Sequence, residues 1–155
     1  MRAHRTMQHR PMERSPNVKK NIIRVAALLL ALFTVASVSA APRNPMSVHV
    51  LDQQTGLPAE GVQVMLAKAE GDRWAVISNG TTDVDGRVAA LYPPGKALDP
   101  GRYQVTFLTG AWYTQHGGTT FYPEVQVIVD VDGKLPHYHI PLLLSAYGYS
   151  TYRGS

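Results

Sequence analysis

Residues 137–145, HYHIPLLLS, change character at every second position. Tyr138, Ile140, Leu142 and Leu144 fall on one side, and His137, His139, Pro141 and Leu143 on the other. A period of two belongs to a strand with one face buried, and the same rhythm recurs along most of the chain. In MSVHVLD, Met46, Val48 and Val50 alternate with Ser47, His49 and Leu51. GVQVML sets Val62, Val64 and Leu66 against Gln63 and Met65, and RYQVTF sets Tyr103, Val105 and Phe107 against Gln104 and Thr106. EVQVIVD repeats the pattern with Val125, Val127 and Val129, and RWAVISNG supplies a further strand. Turn signals separate the runs: QQTGLPAEG, TTDVDGR, YPPGKALDPG and VDGKLP, with glycine free to take positive φ and proline fixing it. Only GAWYTQHGG, residues 110–118, offers a short helix. Seven or eight short strands punctuated in this way predict an all-β sandwich.

The N-terminal segment belongs to a different class. Residues 1–40 carry seven basic side chains against Glu13 alone, a net +6, whereas the remaining residues carry eight basic against ten acidic, a net −2. The overall basic balance therefore describes a leader, and a nucleic-acid partner loses its support. VAALLLALFTVASVSA, residues 25–40, follows the basic stretch as an uncharged apolar run ending at Val38 and Ala40. This is the order of a secretory signal peptide, with cleavage after Ala40 or Ala41 and a periplasmic destination. An uncleaved membrane anchor is the alternative, but the run is shorter than the roughly 20 residues a spanning helix needs. Translation from Met7 or Met12 would shorten the leader. The mature domain, residues 41–155, has no cysteine, so its stability must come from its core and from subunit contacts. Leu51 shares the outward side of its strand with His49, and Leu143 shares one with His139. Such apolar surface beside histidines predicts a homo-oligomer.

The same outward faces carry the groups able to do chemistry. His49, His137 and His139 all point away from the predicted core, and imidazole is the side chain able to take a proton from water near neutrality. Arg87 follows the Asp-Gly turn of TTDVDGR, where its planar fork can hold a carbonyl, imide or carboxylate; its bland alternative is a solvated turn arginine. The last seven residues, YSTYRGS, are too rich in ordering groups for a disposable end. HYH with His49 has a spacing able to hold zinc or copper, but no cysteine or acidic ligand completes a set, and no metal is expected. His116 reads as a surface residue. No phosphate loop, nucleophile elbow or carboxylate pair is present in the sequence.

HVLDQQTGLPAEGVQVML, TTDVDGR and HYHIPLLLSAYGYSTYRGS together resemble the 5-hydroxyisourate hydrolase family, the transthyretin-related enzymes of urate breakdown. The likeness runs from Met46 to Ser155, and the terminal YRGS is its most specific mark. It implies a transthyretin-like sandwich of two four-stranded sheets with one short helix, a homotetramer, and active sites in the cleft between dimers. It further implies His49, Arg87 and His139 as catalytic residues, Tyr152 and Ser155 as substrate-binding residues, 5-hydroxyisourate as the small-molecule substrate, and no cofactor. Ala146 departs from the family's frequent proline, which bears on the rigidity of the tail. Transthyretin-like carriers share this architecture without catalysis, so a ligand-binding protein is the rival reading. An exported sandwich used in adhesion or envelope assembly is a third.

Overall fold

The computed structural model describes residues 43–154; the leader read in residues 1–40 and the terminal Ser155 lie outside the described residues. The strands are β1 (Met46–Asp52), β2 (Leu57–Pro58), β3 (Gln63–Glu70), β4 (Arg73–Thr81), β5 (Arg87–Val88), β6 (Gly101–Phe107), β7 (Val125–Val131), β8 (Tyr138–Ser145) and β9 (Gly148–Thr151). Among the described residues one helix, α1 (Thr109–Gln115), follows β6 where the short helix was predicted. One sheet runs β2-β1-β8-β9 with the two-residue β5 added against β1, and the other runs β4-β3-β6-β7.

The alternating apolar positions form the core between the sheets. Met46, Val48, Val50, Leu66, Tyr103, Val105, Phe107, Leu142 and Leu144 are all fully buried. Burying each side chain of this kind stabilises the fold by about 1.5–3 kcal/mol, which lets the domain dispense with disulfides. Val129, expected to face inward, is only partly buried, because β7 is the edge strand of its sheet. Trp74 and Val76 are exposed for the same reason on the edge strand β4.

Two features of this frame were not foreseen. The first is the parallel pairing of β1 with β8, which runs without a break from Met46 opposite Tyr138 to Asp52 opposite Leu144. Because partners in a ladder share a face, Ser47, His49 and Leu51 lie beside His139, Pro141 and Leu143 on the outer side of the sheet. Leu51 and Leu143 are therefore lateral neighbours that partly cover each other, and both are half-buried rather than exposed. The second is β9, a separate strand within the C-terminal segment, pairing Leu142 with Thr151 through Ser145 with Gly148. The turn before it is fixed without the proline common in the family. Ala146 is buried, and its carbonyl accepts hydrogen bonds from Phe121 N at 2.8 Å and Thr120 Oγ1 at 2.9 Å.

The turn between β4 and β5 sets Arg87. Asp83 Oδ1 accepts from the main-chain N–H groups of Asp85 and Arg87, at 3.0 and 2.9 Å, and Gly86 takes φ +69°. A side chain on Gly86 would also run into the main-chain oxygen of Val50. Gly86→Ala should consequently destabilise the protein by about 1–3 kcal/mol, measured as a lower urea midpoint. An unchanged midpoint would show that this turn yields more easily than its contacts imply.

Candidate active site

The outer face of β1 and β8, continued by the residue before β8, carries a row of three imidazoles. The rings of His137 and His139 are 6.3 Å apart at 17°, and those of His139 and His49 are 6.4 Å apart at 25°. Ser47, on the same face, ties two of them together. Its Oγ lies 2.9 Å from His137 Nε2 and 2.8 Å from His139 Nδ1. His137 Nδ1 in turn donates to the main-chain oxygen of Asn44 at 2.6 Å. The Asn44 side chain is held by Tyr92, donating to its carbonyl at 2.9 Å and accepting from its N–H at 3.1 Å.

Arg87 joins this face from β5, where it pairs with His49 across the ladder. With Arg43, Ser47 and Ala89 it lines a recess of about 180 Å³. The C-terminal segment approaches from the opposite edge. Gly154 N donates to His139 O at 3.0 Å, and Tyr152 and Arg153 line, together with His139, a cleft of about 430 Å³ that reaches β7. Of the predicted site residues, His49, Arg87 and His139 thus share one face and Tyr152 borders the same histidine. His116 is exposed near α1, 2.8 Å from Trp112 O, and takes no part.

The electrostatics favour uncharged imidazoles. His139 is buried, which pushes its pKa below 6.5, and the Arg87 guanidinium, His137, His49 and Arg43 push the same way. Burial also lowers His49, again with Arg87 as the next cause, while the main-chain carbonyl of Asp85 and the carboxylates of Asp83 and Asp85 work against the shift. Neutral imidazoles beside a permanent cation can accept protons at pH 7 while the cation holds developing negative charge. Among the described residues no group of three metal-binding side chains converges on a point, and the rings lie side by side with two of them bonded to Ser47.

Ser47 and Asn44 are the participants to which sequence reasoning gave no role, and His137 was placed among the outward histidines without a part in the site. Ser47 sits two residues before His49 on the predicted outward side, so its face was legible. Its contact with His139 depends on the pairing of β1 with β8, which neither segment specifies by itself.

A two-sheet sandwich whose outer sheet face, rather than a barrel interior, carries the polar constellation defines a protein of the transthyretin-like class. The chain belongs to the HIUase/Transthyretin family, whose sequence profile matches residues 46–154. It is similar to the 5-hydroxyisourate hydrolase of Salmonella typhi, at 46% identity over 136 residues covering 88% of this chain and 99% of that protein. The 5-hydroxyisourate hydrolase of Mus musculus is 36% identical over 118 residues, 75% of this chain and 99% of its own. Among solved structures, Klebsiella pneumoniae 5-hydroxyisourate hydrolase superposes with a TM-score of 0.62 at 39% identity, covering 71% of this chain and 98% of that one. Transthyretin from Sparus aurata superposes with a TM-score of 0.67 at 32% identity, covering 72% and 97%.

Titration followed by NMR should give midpoints below 6.5 for both His49 and His139. Replacing Arg87 by Gln should raise both, since it removes a cation that disfavours the imidazolium. Midpoints that ignore this substitution would mean the guanidinium is too far away, or too well solvated, to act on either ring.

Proposed function

We propose that this protein hydrolyses 5-hydroxyisourate to 2-oxo-4-hydroxy-4-carboxy-5-ureidoimidazoline, a ring-opening step of urate breakdown. One observation carries the reading: His49, Arg87 and His139, from three separate strands, meet on one sheet face. The likeness to hydrolases of that name from bacteria and mouse supports the same substrate.

The chemistry follows from the charge states. A neutral imidazole takes a proton from water as its oxygen attacks the electron-poor ring carbonyl, a contribution of about 10²–10⁴ in rate. Arg87 holds the planar substrate and stabilises the negative charge forming on the carbonyl oxygen, worth roughly 3–4 kcal/mol in comparable oxyanion sites. The carbon–nitrogen bond then breaks, and an imidazolium returns the proton to the leaving nitrogen, so that one water is added across the bond. Tyr152 and the terminal Ser155 orient substrate. The carbonyl is electrophilic enough to need no cofactor.

The same reading includes a homotetramer and export to the periplasm. The strongly exposed Phe121 and Tyr147, 72% and 78% accessible, are apolar surface that subunit contacts would cover. The basic-then-apolar order of residues 1–40 supports export. A carrier role is the second reading, favoured by the likeness to sea bream transthyretin, one structure of which contains thyroxine. Titration with thyroid-type ligands separates the two.

The direct test generates 5-hydroxyisourate with urate oxidase and follows its decay by absorbance with and without the mature protein. Arg87→Ala should lower kcat by at least about 10²-fold while the fold and assembly survive; a folded variant with near-normal turnover rules out the oxyanion role. Removing Tyr152 to Ser155 should abolish most activity, and normal turnover by the truncated protein would reduce the tail to packing. Because burial and Arg87 lower both histidines, activity should fall on acidification with a midpoint below pH 6.5. A midpoint above pH 6.5 would exclude these imidazoles as the base.

A further inference from the structure

The hydrogen bonds behind His139 decide which of its two nitrogens is free. A main-chain carbonyl oxygen only accepts, so the 2.6 Å contact to Asn44 O requires a proton on His137 Nδ1. In the neutral ring, Nε2 of His137 then carries the lone pair and must accept. Its neighbour at 2.9 Å is Ser47 Oγ, whose single proton is thereby committed to His137. Ser47 Oγ has only lone pairs left to offer His139 Nδ1 at 2.8 Å. That nitrogen must be the donor, which leaves the lone pair of His139 on Nε2.

The far end of this chain is anchored. Asn44 Oδ1 accepts from the main-chain N–H groups of Met46 and Tyr92, each at 3.1 Å, and its amide donates to Tyr92 O. The carbonyl that starts the sequence of donors therefore cannot swing away without breaking three further bonds. Ser47 is itself buried, so bulk water does not compete for its proton.

Resting on the hydrolase reading, we propose that Asn44, Ser47 and His137 form a relay of positioning residues that holds His139 as its Nδ1–H tautomer and presents Nε2 as the base that takes the proton from water. Of the two candidate bases, the relay selects His139. A histidine is oriented in many hydrolases by a carboxylate, and here a hydroxyl backed by an imidazole does the same work without adding charge. Ser47→Ala removes the middle link and frees His139 to change tautomer, while leaving the Arg87 guanidinium and both imidazoles in place.

The test reads the tautomer directly. In the full-length mature protein labelled with ¹⁵N-histidine, at a pH where the rings are neutral, the ring-nitrogen spectrum of His139 should show Nδ1 protonated and Nε2 bare. Ser47→Ala should convert it to a mixture and lower kcat at least about 10-fold with KM within about twofold, a smaller loss than that of the whole general base. Ser47→Thr, which keeps the hydroxyl, should restore both. A wild-type His139 protonated on Nε2 overturns the relay with no variant needed, and so does a Ser47→Ala protein that keeps both the Nδ1–H signal and its kcat. If the wild-type protein fails to speed the decay of 5-hydroxyisourate, the hydrolase reading falls instead, whichever tautomer the spectrum reports.

Discussion

The parallel ladder between β1 and β8 is the constraint on which the rest depends. Its register sets Val48 beside Ile140 and Val50 beside Leu142, so both strands bury their aliphatic rows together. A slip by one residue would turn either row out to water and bring histidines into the core, at a cost of several buried side chains. The hydrophobic effect thus holds the register, and the register alone brings Ser47 beside His139. Polar geometry on the outer face is a by-product of apolar packing on the inner one. Substitutions in the core can therefore disturb the imidazole row without touching it.

What could be read beforehand follows from this division. Strand positions and faces were legible, since a period of two is a local property and each half-buried strand carries its own signal. The pairing of β1 with β8 is not local: the strands are separated by most of the domain, and many partners suit an alternating aliphatic row equally well. The outward histidines could be found, but not their order, their neighbours or the bridging Ser47. Strand β9 was hidden for another reason. Gly148–Thr151 is mostly exposed, so its sequence GYST shows no burial pattern, and the strand exists because β8 offers an open edge.

The electrostatic setting of the histidines separates this site from one built around an acid. A carboxylate on His139 would stabilise the imidazolium and make a stronger base that is charged more of the time. Here the groups that bond to the row are a hydroxyl and a main-chain carbonyl, while the full charge acting most strongly on His139 is the cation of Arg87. Asp83 is spent on the turn, its Oδ1 accepting two main-chain N–H groups. As the proposed base, such an imidazole is weak but less protonated at neutral pH than a free one. That suits a carbonyl already electron-poor, where the need is for a free lone pair in a fixed place rather than for basicity.

Pro141 and Gly154 explain how the chain end reaches this row. Pro141 lies in the middle of a central strand, where a missing N–H is ordinarily a defect. The β8–β9 ladder stops at Leu142 opposite Thr151 and resumes in the same register only at His139 opposite Gly154. Between them Pro141 offers no donor; its carbonyl is taken by Thr151 Oγ1 at 2.8 Å, and Tyr152 and Arg153 are released from the sheet to line the cleft. Glycine is required where the ladder resumes. A Cβ on Gly154 would lie 2.5 Å from His139 Cδ2, so only a bare main chain can pass that close to the ring. One residue without an N–H and one without a side chain thereby bring the main chain of Gly154 against the His139 ring and leave Tyr152 and Arg153 lining the neighbouring cleft.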